Sequence, residues 1–320
     1  MSAMVSLIPG FVWIGDFMIT SDLKEIPVSE IAIPVQKNAL RLLVRRFIKN
    51  PLSASGFLLV LILVLIALTA KYWVPYPEDI LTARRMDENL QPPSEKYWMG
   101  TDSLGRDIFS RVMVGTGLSL QVGVTVVLLA AILGTFIGGI AGYYGGWIDQ
   151  VTMRITDGFL AFPSLVLALG VAAALGPSLM NALLSITIAW WPWYARLVRA
   201  QALSVSNQEF IEAARALGSS KFRILLKHIL PNVMVPVIVQ ASLDFGYVVL
   251  TATSLSFLGL GAQRPFPEWG LMVSEGRTVF PASWWVSIFP GLAIFITVVA
   301  FNLIGDGIRE MLDPRLRNRI

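Results

Sequence analysis

Charged residues punctuate this chain unevenly, and the gaps between them are long. Lys49 and Lys71 enclose 21 uncharged residues, Arg111 and Asp149 enclose 37, Asp157 and Arg196 enclose 38, and Arg277 and Asp306 enclose 28. Between His228 and Arg264 the only charge is Asp244. A helix crosses a bilayer core with about 20 apolar residues, so each gap holds at least one span. The 38-residue gap contains Leu175-Gly-Pro177, a turn signal, which divides it into two helices. The 37-residue gap exceeds one span, and its first residues are assigned to an interfacial lead-in. The pattern predicts six membrane helices, near 52–74, 118–143, 156–175, 179–197, 232–260 and 285–305.

Composition supports the same reading. Of 320 residues, 55% are hydrophobic and 14% charged, with a mean hydropathy of +0.67, against roughly 25% charged in an ordinary soluble domain. The net charge of +4 does not form a nucleic-acid patch. Lys24, Lys37, Arg41, Arg45, Arg46 and Lys49 precede the first span, and Arg154 lies between the second and third. Arg196, Arg199, Arg215, Lys221, Arg223 and Lys227 lie between the fourth and fifth, and Arg309, Arg315, Arg317 and Arg319 follow the last. The remaining loops carry eight bases, offset by nine acids. By the positive-inside rule both termini are cytoplasmic. The first 20 residues have no basic start and no A-x-A site, so no signal peptide is read. Residues 1–50 are taken as a cytoplasmic segment.

The chain has no cysteine and one histidine, His228. Thiolate metal sites, cysteine nucleophiles and histidine relays are thereby excluded, and no metal site is expected. No G-x-x-x-x-G-K-[ST] run occurs, so no ATP site of its own is recognisable. In the second span Gly134, Gly138, Gly139 and Gly142 fall mostly on one helix face. That spacing admits a neighbouring backbone closely, either as static packing or as a moving interface.

Residues 204–231 are more informative. Ser206-x-x-Glu209 fits a capping box that starts a helix. Phe210, Ala213, Ala214 and Leu217 share one face, and Gly218 fits a left-handed terminator. Ser219 or Ser220 then caps a second helix with an apolar face of Phe222, Leu225, Leu226 and Ile229, ending before Pro231. Two short amphipathic helices bent at a glycine suit a groove of another protein; the alternative is a helix lying on lipid.

Glu212, Ala213, Ala214, Gly218, Leu230 and Pro231 resemble the EAA loop of binding-protein-dependent ABC importer permeases. His228, Pro231 and Asn232 look like the dipeptide, oligopeptide and nickel branch. Gly100-Thr-Asp-Ser-Leu-Gly-Arg-Asp107, Ala141-Gly-Tyr-Tyr-Gly-Gly146, Leu255–Ala262, Pro267-Glu-Trp-Gly270 and Gly305–Pro314 follow in the family's order. The resemblance covers about 41–316 and is closest to the "C" subunit. It implies an all-α integral membrane protein with the type I importer permease fold, whose transmembrane domain spans 115–306, in a bacterial or archaeal cytoplasmic membrane. It implies as partners a second homologous permease, two ABC ATPase subunits that bind ATP and Mg, an external substrate-binding protein and membrane lipid. It assigns no catalysis and no cofactor to this chain. ATPase coupling falls on 207–230, with Glu209, Glu212, Ala213, Ala214, Arg215, Gly218, Phe222, His228 and Pro231.

Two further groups are candidates. Gln240, Asp244, Tyr247, Thr251 and Ser254 recur at helical spacing in the fifth span. An intramembrane carboxylate faces a bundle interior or water, so this stripe either lines the solute path or pairs Asp244 with a neighbouring helix. Asp102, Arg106 and Asp107 in the external loop 75–114, with Arg264 and Trp269 in the hairpin 261–284, either contact the binding protein or serve as local ion pairs, caps and an aromatic belt. Two other readings stand beside the importer: a secondary transporter, which leaves the EAA loop unexplained, and an intramembrane enzyme, for which no paired nucleophile and base are seen. The substrate is not legible beyond peptides, nickel, glutathione and other small solutes.

Overall fold

The computed structural model describes residues 11–14, 17–20, 50–81 and 84–312. The basic residues of 21–49 and 313–320 lie outside that range. Two compact units are present, 1–42 and 43–320. In the first, β1 (Phe11–Ile14) and β2 (Phe17–Thr20) pair antiparallel with Ile14 opposite Phe17. This hairpin departs from the all-helical expectation. Its source is local: FVWI and FMIT are rich in β-branched and aromatic residues and flank Gly15-Asp16, a two-residue hairpin signal.

The second unit is helical throughout. Helix α1 (Pro51–Trp73) starts at Asn50, whose side chain accepts from the Leu52 N–H, with proline at the first helical position. It ends where Trp73 and Val74 meet Pro75 and Pro77. Helix α2 (Ile108–Tyr144) starts ten residues before the expected span. The cause is Asp107, whose carboxylate caps it by accepting from Ser110 N at 2.8 Å. The lead-in is therefore helix.

The expected span 156–175 is broken. Helix α3 (Gly146–Leu160) and α4 (Ser164–Leu175) meet at 88°. Pro163 has no N–H and disfavours helical geometry at Phe162. Asp149, Arg154 and Asp157 make α3 the more polar half. The turn at Gly176, φ +88°, is as expected, and α5 (Leu179–Ser206) follows, capped by Ser178.

Helix α6 (Glu209–Ala216) starts from Gln208, not from a Ser206 capping box. Ser206 is still the last residue of α5, and its hydroxyl bonds Leu203 O. Helix α7 (Lys221–Ile224) passes through a π turn at Leu225–Ile229 into α8 (Leu230–Phe257). The second short helix and the fifth span are thus one rod. Pro231 does not divide them, because the wider π turn accommodates its missing N–H. Helices α9 (Trp269–Gly276) and α10 (Trp285–Leu312) complete the fold, α10 running beyond the expected 305.

Among the described residues, four helices are long and apolar enough to cross a membrane: α1, α2, the α7–α8 rod and α10. The bent α3–α4 pair makes a fifth if it counts as one span. The expected six falls short on α5, whose lower half is polar and basic.

The core forms where α2 and α5 cross. A Cβ on Gly134, Gly138 or Gly142 would meet the α5 backbone or first side-chain carbon at Trp191–Ala195 or Arg199 well inside van der Waals contact. The glycine face is therefore close packing, with Val126, Ala130, Ile186, Tyr194, Val198 and Val248 around it. Asp149 grips Arg199 in a two-pronged ion pair at 2.5 and 2.6 Å, and Asp157 pairs with Arg196, holding α3 along α5.

Candidate functional site

Three groups of residues carry the candidate chemistry. The first is the α6–α7 elbow. Gly218 adopts φ +78°. Its N–H bonds Arg215 O, and the Ser219 N–H bonds Ala214 O, the six-to-one and five-to-two pattern that closes a helix on a left-handed residue. Ser220 Oγ accepts from Arg223 N and starts α7. Ile211, Ile224, Leu225 and Ile229 are buried beneath the elbow and fasten it to the bundle.

The expected apolar faces are divided: Leu225 and Ile229 of the second are buried, and the rest of the bulky side chains face outward. Phe210, Leu217, Phe222 and Leu226 are exposed, Leu217 by 87% and Phe222 by 62%. Ala213, Glu209, Glu212 and Arg215 are also exposed, whereas Ala214 packs partly on the core. Phe210 with Leu217 and Phe222 with Leu226, spaced i, i+7 and i, i+4, thus form the outward face, and Ile211, Ile224, Leu225 and Ile229 anchor it. His228 sits in the π turn, 6.3 Å from the Phe210 ring, and its carbonyl accepts from Asn232 Nδ2. Pro231 is exposed at the start of α8, and Arg215 lies over the Tyr143 ring at 5.7 Å.

The second group is the polar stripe of α8, which does not share one environment. Asp244 is 9% exposed, and its Oδ1 accepts from Gln240 Nε2 at 2.9 Å. The Tyr194 hydroxyl of α5 lies beside it, although Oδ2 and the hydroxyl make no hydrogen bond of normal geometry. Thr251 is buried, and it and Ser254 bond carbonyls of their own helix, Tyr247 O and Leu250 O. Tyr247 is 61% exposed. A cavity of about 210 Å³ opens beside Ser254, between Phe257, Leu258, Gly270 and Ile294.

The third group joins the loop between α1 and α2 to α9. Asp102 accepts from Leu104 N and Arg106 N through Oδ1 and from Arg106 Nε through Oδ2, at 2.6–3.0 Å. Arg106 also reaches Glu275 on α9 at 3.3 Å, and Arg264 pairs with the same carboxylate. Arg111 donates to the carbonyls of Asp79 and Ile80. Trp269 donates to Val112 O at 3.0 Å and Trp285 to Thr101 O at 3.2 Å.

Asp102, Arg106, Asp107 and Trp269 are each at most 4% exposed, so the expectation that they touch a binding protein is corrected. Asp102 and Arg106 pair within the chain, because burial leaves an unpaired charge far costlier than a solvated one, and Asp107 is held by the N–H and hydroxyl of Ser110. Trp269 and Trp285 are buried donors and form no belt. Arg264 alone of this set is open to solvent.

Burial raises the carboxyls of Asp79 and Asp107 above their ordinary value. The Asp107 N–H and Arg85 oppose this at Asp79, and the Ser110 hydroxyl and the N–H groups of Ser110 and Phe109 oppose it at Asp107. Burial likewise raises Glu268, the cap of α9, against the N–H groups of Leu271 and Gly270 and the Ser256 hydroxyl. Sequence reasoning placed Glu268 only in the external hairpin and missed Glu275 and Tyr194. An acid six residues beyond Trp269 and a tyrosine within a long helix give no signal until the fold pairs them.

Residues 134–318 match the family model described as "Binding-protein-dependent transport system inner membrane component". Residues 38–93 match the "N-terminal TM domain of oligopeptide transport permease C". The dipeptide transport system permease protein DppC of Alkalihalophilus pseudofirmus is 47% identical over 84% of this chain and 88% of its own. The glutathione transport system permease protein GsiD of Pectobacterium atrosepticum is 45% identical over 86% of this chain and 90% of its own. A probable D,D-dipeptide transport system permease protein, DdpC, of Escherichia coli is 46% identical over 83% and 88%.

Proposed function

The chain belongs to the family of binding-protein-dependent transport system inner membrane components, and from that premise we propose that it is the permease subunit of an ATP-driven importer for dipeptides or a related small peptide such as glutathione. It is a non-catalytic membrane component. It forms half of the solute path with a second permease, and two ATPase subunits and a binding protein complete the machine. ATP and Mg bind to the ATPases. Six spans fit the helices when the bent α3–α4 pair and α5 each cross once; α5 has 28 residues, about 42 Å at 1.5 Å per residue. The N-terminal segment before α1 and the tail after α10 are then cytoplasmic, with the α6–α7 elbow.

The observation that carries this reading is the elbow. Four large apolar side chains stand outward on a knob of fewer than 25 residues, rimmed by Glu209, Glu212, Arg215 and Lys221 and rooted by buried isoleucines. Such a knob is stable exposed only if a partner's groove covers it. Because α7 continues into α8 without a hinge, a push on the elbow travels along one rod to Tyr247 and the cavity at Ser254. Access thereby alternates: ATP-driven closure of the ATPases draws the elbows together, and hydrolysis releases them. Solute contact falls to Tyr247, Ser254 and Gln240, with Asp244 holding Gln240 in place, and binding-protein contact to Arg264.

The test is uptake of a labelled dipeptide by proteoliposomes holding the full complex. Leu217→Asp should abolish ATP-dependent uptake and release the ATPases on co-purification while the two permeases stay paired. Uptake driven by a proton or sodium gradient without ATP, or normal ATPase retention by the variant, overturns the proposal.

A further inference from the structure

The elbow stands on the end of α2 with both of its arms. On the α6 side the Arg215 guanidinium lies 5.7 Å from the centre of the Tyr143 ring, one residue before the last of α2. On the α7 side a Cβ on Gly139 would come within 2.6 Å of Leu230 Cδ2 and 3.7 Å of Leu225 Cδ1, so the π turn closes over the preceding turn of the same helix. Arg215 is exposed, and its guanidinium rests on the ring rather than on Glu209 or Glu212 of its own short helix. The run Ala141–Gly146, to which the transport reading gives no task, supplies this seat.

Tyr143 is held as a ring and not by its hydroxyl. The ring packs partly on the core, and Tyr144 meets it edge to face at 5.5 Å. The hydroxyl is buried without a hydrogen-bond partner, which disfavours a tyrosine there, so what the side chain offers is its face. An aromatic face attracts a cation. The negative end of the α2 dipole lies at the same place and adds to the attraction, Gly145 having closed the helix at φ +64°. From this end α2 runs back to Ile108 through 37 residues without a proline, about 55 Å of unkinked helix. Its far end is fixed as firmly. Asp107 accepts from Ser110 N and gives its own N–H to Asp79 Oδ2, beside the chain of Asp102, Arg106 and Glu275. One stiff helix therefore has the elbow at one end and the network of the loop 75–107 at the other.

We propose that Tyr143 is a positioning residue, the seat through which Arg215 ties the elbow to α2. A displacement of the elbow then reaches the loop 75–107 along α2, in addition to the path along α8 to Tyr247. The glycine face that locks α2 on α5 keeps the helix from slipping or bending when its end is pushed. The state of the ATPases is thereby passed to the far face of the bundle by a helix that touches neither nucleotide nor solute. The inference rests on the reading of the elbow as the ATPase contact and adds a second route from it.

The test is hydrogen–deuterium exchange of the full complex with and without a non-hydrolysable ATP analogue, read at residues 100–107 and 209–218. In the unsubstituted complex the nucleotide should change exchange in both segments. Tyr143→Leu keeps bulk without a ring. It should leave ATPase retention and the change at 209–218 as they are, and cut the change at 100–107 by about 2- to 5-fold, the span of an exposed cation–π contact. Tyr143→Phe keeps the ring and loses only the unpartnered hydroxyl, so it should behave as the unsubstituted chain. In an Arg215→Gln background Tyr143→Leu should add nothing. No nucleotide effect at 209–218 in the unsubstituted complex overturns the reading of the elbow and the seat with it. With that effect present, the seat alone is overturned if the change at 100–107 is absent from the unsubstituted complex, survives in Tyr143→Leu, or is lost equally in Tyr143→Phe.

Discussion

Gly142 on α2 is the sharpest test of how this bundle is held together. A Cβ placed on it would lie 2.6 Å from Arg199 O, 2.9 Å from Ala202 Cβ and 3.2 Å from Arg199 Cα. Nonbonded carbon contacts are comfortable at about 3.5 Å or more, so Gly142→Ala must move α5 away by roughly 0.9 Å at that level or bend it. Rigid backbone cannot yield as a side-chain tip can, so the cost lies in the upper part of the overpacking range, about 2–3 kcal/mol. Alanine returns up to about 1 kcal/mol of helix propensity, for a net loss of about 1–2 kcal/mol. Gly158 on α3 and Gly170 on α4 have nothing within 4 Å of such a Cβ. The same substitution there has only the propensity gain and should stabilise by about 0.5–1 kcal/mol. The assay is thermal unfolding of the detergent-purified chain followed by tryptophan fluorescence, to which ten tryptophans contribute; thiol-reactive dyes have no cysteine to report on. Gly142→Ala should lower the midpoint by about 2–5 °C, at about 2–4 °C per kcal/mol or less for a chain of this size, and Gly158→Ala and Gly170→Ala should hold or raise it. A Gly142→Ala midpoint equal to the unsubstituted one, or equal damage at all three positions, refutes the close-packing account.

Glu268 makes a pH-dependent contribution. Burial raises its carboxyl above the ordinary 4.5, so the folded chain holds that proton more tightly than the unfolded one. Its contribution is therefore fully present below about 4.5 and is lost as pH rises through the raised value. The unfolding midpoint of Glu268→Gln should fall less steeply above pH 4.5 than that of the unsubstituted chain, and identical slopes would count against burial as the cause. The Asp149–Arg199 pair, partly exposed but two-pronged, should show a coupling of about 0.5–1 kcal/mol in a double-mutant cycle with Asp149→Asn and Arg199→Gln; additive losses would show that α3 is held by packing alone.

Much of this architecture is written locally. Runs without charge longer than a bilayer is thick place α1, α2 and α10, and a run broken only by Asp244 places α8, because a charge inside hydrocarbon is costly over any background. Gly176 and Gly218 end helices through a backbone conformation that only glycine adopts cheaply, so both turns are readable from one residue each. The break at Pro163 was equally local, but the length of the uncharged run masked it. Other features depend on partners distant in the chain. Arg106 and Glu275 are 169 residues apart and Trp269 and Val112 are 157 apart, so nothing near Arg106 or Trp269 tells whether it faces a docking protein or the interior. Helical spacing in α6 gathers Phe210, Ala213, Ala214 and Leu217 on one face and leaves Ile211 off it. Only their packing against the bundle separated the buried anchor from the outward surface. The helix alone leaves Asp244 open to the solute path or to a neighbouring helix, and only the fold brings Tyr194 of α5 beside it. Periodicity and turn chemistry set the elements because they are energies of a residue with its neighbours. The pairing of charges and the exposed elbow are energies between segments, and they exist only once those segments meet.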